Sequence, residues 1–181
     1  MSKLASRLHQ AIAAVAPVET VAVGDPRDGT TWVVSYAGAT PEQIAAGDAA
    51  LLAFLKDEAK GWVDADAERV RLRYVTPGTG QAMTYQEKAA QAGAVLDLGE
   101  EAANALTEVE RVAQFPVLAS SVGIEADTLY AAAELVMSRQ EAWASLGGVI
   151  ERTRLAGKKA VGEAVGVTGV HAAYGAIAWP T

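Results

Sequence analysis

Five consecutive residues constrain this chain more than any others: Thr76, Pro77, Gly78, Thr79 and Gly80. Proline has no N–H to give to a helix or a sheet, and the glycines beside it loosen the backbone. The 181-residue chain is therefore expected to divide there. The two sides differ in kind. Before the break, Trp32, Val34 and Tyr36 alternate with a period of two, which puts them on one face of a strand. After it, the apolar residues read only as helices. The expected fold class is α+β: a small N-terminal β-hairpin packed on helices, followed by a predominantly α-helical region with a long C-terminal helix. Its parts are an N-terminal α+β unit at 1–60, a joint at 61–81, a helical hairpin or bundle at 82–165 and an apolar C-terminal arm at 166–181.

The local signals behind this division are specific. Leu4, Leu8, Ile12 and Val15 share one helix face, with Ser2 as the cap. This spacing marks a folded helix rather than a targeting segment, and Pro17 breaks the apolar stretch that follows. Strands are expected at 19–23 and 31–36, separated by a turn ending in Asp28-Gly29. Thr40, Pro41 and Gln43 form the clearest helix start: a cap, a proline at the first helical position and a residue that returns the capping bond. Ile44, Leu51, Leu52 and Leu55 would be its buried face. Gly61 is expected to end that helix, and Asp64 to cap a short one. Arg69, Arg71 and Arg73 with Asp64, Asp66 and Glu68 read as a solvated, salt-bridged face. Further on, helices are expected at 81–96, at 100–114 and from an Asp127 cap to about Val165. Gly147 and Gly148 lie in the middle of the last one, at about 1 kcal/mol each relative to alanine.

Little in the sequence nominates a catalytic site. There is no cysteine, which removes disulfides, thiolate nucleophiles and thiolate metal sites together. The two histidines, His9 and His171, stand at opposite ends of the chain, and no metal-binding pair or nucleophile elbow is present. Gly78-Thr79-Gly80 precedes a helix but lacks the lysine and hydroxyl of a phosphate loop. Asp25, Asp28 and Thr30 gather oxygens, but Pro26 and Gly29 make that segment a turn. A formal charge of −7 argues against nucleic acid as a partner. No run of about eighteen apolar residues suggests a membrane span. No catalytic residue, no metal ligand and no cofactor is expected, and the chain is not expected to be an enzyme.

Three stretches carry a resemblance. The first is Val21 to Pro26 with Thr31 to Tyr36 and Ala39 to Gln43. The second is Arg71 to Lys88, and the third is Pro116 to Ile124 with the alanine-rich helix through Trp143 to Lys159. In this order they resemble uncharacterised proteins encoded in tail and tail-fibre gene clusters of tailed bacteriophages and prophages. The resemblance covers about residues 17–165, and none of its motifs is catalytic. It implies a structural virion protein of the tail, fibre- or baseplate-associated and made in the host cytoplasm. The alternative it leaves open is a tail-fibre assembly chaperone absent from the mature particle. The partners implied are other phage tail proteins, together with copies of the same chain in a homo-oligomer. Residues 166–181 lie outside the resemblance. They are apolar and interrupted by Gly166, Gly169 and Gly175, so a free solvated tail is not expected. Tyr174, Ile177 and Trp179, with Trp143 on the long helix, are the expected protein-interface residues, and the arm is expected to meet another chain.

Overall fold

The computed structural model describes residues 2–76 and 78–181, apart from the side chain of Thr79. Pro77, at the centre of the expected break, lies outside the described residues. Among the described residues, helices hold 71% and the strands form one two-stranded antiparallel sheet. The residues cluster into two compact units, 1–70 with 150–181, and 71–149.

In the first unit, α1 (Lys3–Ala13) starts on Ser2, whose side chain accepts the Ala5 N–H. Ala5, Leu8 and Ile12 recur at helical spacing and are buried. Strands β1 (Val18–Ala22) and β2 (Val33–Tyr36) pair with Val21 opposite Val34 and Ala22 opposite Val33, and a bulge near Glu19 shifts the register. Trp32, just ahead of β2, is buried, and its indole N–H donates to the Asp25 carbonyl at 2.8 Å. A two-stranded ribbon has too little apolar surface to stand alone, and α1 and α2 cover it.

Helix α2 (Pro41–Arg71) begins on the expected capping box: the Gln43 N–H donates to the Thr40 hydroxyl, and the Thr40 N–H donates back to the Gln43 side chain. It does not end at Gly61. That glycine lies in open space, and the helix runs on because Val63, Ala67 and Val70 extend the buried stripe begun by Leu55 and Ala59. Burial at i, i+4 spacing outweighs about 1 kcal/mol of glycine propensity. Asp64 therefore lies mid-helix and caps nothing. Leu51 and Leu52 are half-buried against the core, whereas Ile44 is exposed, contrary to its expected place on the buried face.

The C-terminal residues complete this unit. Helix α7 (Leu129–Glu163) gives Val161 to the core, and α8 (Gly166–Gly175) gives Val170. Residues 166–181 are not a detached arm in this unit. Tyr174, Ile177 and Trp179 all pack against the unit's own core. Gly166 takes a φ of +70° at the turn into α8, which only glycine adopts freely. Gly175 is the last residue of α8, so two of the three interrupting glycines punctuate a helix rather than loosen a tail.

In the second unit, α3 (Thr79–Leu98), α4 (Glu100–Ala105), α5 (Glu108–Gln114) and α6 (Pro116–Ala119) precede the first residues of α7. Ala92 and Val95 of α3, Ala103 of α4, Phe115, Leu118 of α6, and Leu129, Ala132 and Ala133 of α7 form its core. The single helix expected at 100–114 is two, because Thr107 and Glu110 close a reciprocal capping box that starts α5. The cap of α7 is Thr128, whose hydroxyl accepts the Ala131 N–H, one residue later than the expected Asp127. Gly147 and Gly148 do not interrupt α7.

Leu55 is 1% exposed, and its methyl groups fill the space where a side chain on Gly29 would stand. Leu55→Ala should cost about 2–5 kcal/mol in urea unfolding, and Ile44→Ala within about 1 kcal/mol. Equal losses for the two would refute this assignment of the α2 face.

Candidate functional site

The polar groups that converge most closely do so in the first unit. Asp66 occupies the buried stripe of α2 between Val63 and Val70 and is 8% exposed. Its Oδ2 accepts the Tyr174 hydroxyl at 2.6 Å, and its Oδ1 accepts from the guanidinium groups of Arg27 and Arg69, each at 2.8 Å. Arg27 also donates to the Tyr174 oxygen at 2.9 Å. Trp62, one turn before Asp66 on α2, meets the Tyr174 ring edge to face at 5.3 Å and the Trp32 ring at 6.4 Å. Burial pushes the Asp66 carboxyl up, but the hydrogen bonds from Tyr174 and Arg27 and the nearby cations outweigh it, and the net shift is downward. Burial, and then the bond to Asp66, pushes the Tyr174 phenol up. An ionised carboxylate held by a phenol that keeps its proton is a fixed acceptor, suited to tying α8 to α2.

A second acid of α2, Asp64, accepts from Arg154 at 2.6 Å and from Lys158 at 2.7 Å, one turn apart on α7. Lys56 donates to the Gly162 carbonyl at 2.8 Å, near the C-terminal end of α7, where a cation is favoured. Tyr36 lies over Gly47 and donates to Asp48 at 2.9 Å; burial and that bond push its phenol up to about 12.

The oxygens gathered at Asp25, Asp28 and Thr30 are used within the turn itself. Asp28 accepts from the Thr30 N–H and hydroxyl, and Asp25 accepts from the Arg27 N–H. His171 stands outside this turn, its Nδ1 3.2 Å from Asp28. Among the described residues, no group of three His, Asp or Glu side chains could hold a metal ion, and no helix is long and apolar enough to cross a membrane.

In the second unit, Glu125 accepts from Lys88, from Arg139 at 2.8 Å and from the Ser121 hydroxyl at 2.8 Å, and these bonds pull its carboxyl down to about 2. Gln91 is buried; its Oε1 accepts the N–H groups of Val117 and Leu118 at 3.0 and 2.9 Å, the free donors at the start of α6.

No protein-family model, curated protein or solved structure matches this chain. Tyr174, Ile177 and Trp179 are gathered on the first unit's core, with the Ile177 Cδ1 2.6 Å from where a Cβ on Gly157 would lie. Trp143, in the second unit, is half-buried beside Gly147. Sequence reasoning missed Asp66, which it placed on a solvated face. The available signal was its phase: Asp66 lies three residues after Val63 and four before Val70, on the apolar side of α2. Reasoning from sequence also missed the outward-facing apolar residues of the second unit. Met83, Val109 and Ile124 are 66%, 79% and 83% exposed.

Tyr174→Phe removes the hydrogen bond donated to a buried carboxylate and the one accepted from Arg27, and should destabilise the protein by about 1.5–3 kcal/mol. The pH dependence has a definite sign. The Asp66 carboxyl lies below its ordinary 3.8 in the folded chain, so its ionisation stabilises the fold above that value. That contribution is lost as pH falls from 3.8 through the lower folded value. The gap in unfolding free energy between wild type and Asp66→Asn, measured in urea, should therefore narrow below about pH 4. A gap independent of pH would exclude this role for the carboxylate.

Proposed function

We propose that the chain is a structural component of a bacteriophage tail, fibre- or baseplate-associated, that works through protein–protein contacts and carries out no catalytic step. The observation that carries this reading is the exposure of Val109 and Val112 on one face of α5 in the second unit. Large apolar side chains held on helices and turned to solvent are what a part built for assembly presents. The three stretches that resemble phage tail-cluster proteins supply the setting. The convergent polar groups support it from another side: Asp66, Asp64 and Glu125 are each held by cations of their own unit, which suits a load-carrying scaffold. Copies of the same chain are proposed as partners alongside other tail proteins, since virion parts assemble as symmetric oligomers.

Quantitative mass spectrometry of purified particles tests the reading, and the protein should appear at a defined copy number. A protein abundant in the infected cell but missing from the particle would replace this reading with that of a fibre chaperone. Light scattering of the isolated protein should give a mass above 18.7 kDa, and a strict monomer would remove the homo-oligomer from the proposal.

A further inference from the structure

Helix α5 is packed inside out. Arg111 is its one half-buried residue, while Val109 is 79% and Val112 53% exposed, with Ala113 open beside them. Val109 and Ala113 are one turn apart, so the three form a short apolar ridge on the solvent side. Two end fixtures hold the helix in this orientation. Thr107 and Glu110 close the capping box at the start, and Phe115, buried in the core, receives the last turn with its N–H on the Arg111 carbonyl at 2.8 Å. No residue of α5 is buried, so the ridge is left uncovered by the described residues of its own unit.

Charge selects the partner. Residues 89–138 hold eight carboxylates and one cation, Arg111, a formal balance of −7 that equals that of the whole chain. Among the described residues, Asp97, Glu100, Glu101, Glu108, Asp127 and Glu134 are exposed and make no ion pair. Glu108 is on α5 itself, and Glu100 and Glu101 open α4, which only Leu106 and Thr107 separate from α5. A shallow hollow lined by Leu98, Gly99, Glu100, Glu101, Ala102 and Ala105 lies directly before that link. An apolar ridge on a helix that carries Glu108, with Glu100 and Glu101 shortly before it in the chain, is complemented by apolar residues flanked by cations.

We propose that the α4–α5 surface docks a basic amphipathic helix of a partner protein, its apolar stripe on Val109, Val112 and Ala113 and its lysines or arginines toward Glu100, Glu101 and Glu108. A second copy of this chain is a poor occupant, because it would set one strongly acidic segment against another. The proposal rests on the assembly reading above and names the chemistry of one partner. An interface of this small size, rimmed by charge, is weak and salt-sensitive.

The test uses the full chain and three synthetic peptides in fluorescence anisotropy. One forms a helix with a leucine stripe flanked by lysines, one replaces every lysine by glutamate, and one scrambles the first so that its composition stays but its helical phase is lost. The basic amphipathic peptide should bind about tenfold more tightly than either control, a difference of about 1.4 kcal/mol, and should weaken as salt rises. Val109→Ser with Val112→Ser should remove the advantage over the scrambled peptide, and Glu101→Lys with Glu108→Lys should remove the salt dependence. Circular dichroism should be unchanged in both pairs, since all four side chains are exposed. Equal binding of the scrambled peptide by wild type would overturn the proposal. So would an oligomer dispersed by the valine pair, which would make a second copy the occupant. The two readings fail separately: peptide selectivity in a protein absent from particles sinks only the tail reading, and presence in particles without selectivity sinks only the docking site.

Discussion

A carboxylate on the buried side of a long helix must be answered by donors, and the answer to Asp66 organises the first unit. Its position on α2 is set by the stripe that includes Val63 and Val70. Leaving an ionised group there without partners would cost several kcal/mol. Arg27 arrives from the turn between the strands and Tyr174 from α8, so the bonds that satisfy one side chain join residues 39 and 108 positions away. The aromatic contacts from Trp32 through Trp62 to Tyr174 run alongside and exclude water from one side. Apolar burial brings α8 to α2, and the directional bonds fix how Tyr174 lies against it.

The second unit solves a smaller version of the same problem. Helix α6 has only four residues, and nearly all its backbone donors are terminal ones. Gln91, buried on α3, accepts two of them and in turn donates to Glu87 at 2.8 Å. One neutral side chain thus satisfies the start of a helix too short to satisfy itself. Lys88, the next residue, reaches Glu125, which Arg139 and Ser121 also hold. These bonds join α3, α6 and α7, whose shared core includes the small side chains of Ala92, Ala132 and Ala133.

The features legible in the sequence were those fixed by neighbours along the chain. The Ser2 cap, the Thr40–Gln43 box and the alternation through Val34 and Tyr36 each follow from contacts within a few residues. The misread features depend on distant partners. Gly61 looks like a helix end because its local propensity is poor, and it is overridden by burial of Val63 and Val70 against other elements. The C-terminal arm looks homeless because its apolar residues need a surface, and nothing in residues 166–181 says that α2, α7 and the turn before β2 supply it. Asp66 sits among five other charged residues at 64–73, so composition pointed to solvent while helical phase pointed to the core. Phase was the better guide, because burial follows the direction of the Cβ and not the average polarity of a segment.

Helix α5 shows the opposite conflict. Valine is a poorer helix former than alanine by about half a kcal/mol, and that cost is ordinarily offset by burial. Val109 accepts the cost and gains little burial, and Val112 keeps about half its surface in solvent, while the cap and Phe115 hold the helix from its ends. The reverse holds at Arg111, the position turned toward the unit, where an apolar residue would serve the core better. Each of these choices opposes the stability of the isolated unit, and they oppose it on one helix and in one direction. Departures from local consistency of this kind concentrate where a surface serves something other than its own fold. Had the valines been scattered singly over several helices, ordinary surface composition would account for them. Their common face and the acids around it call for a partner whose apolar stripe and positive charge restore what the isolated chain leaves exposed.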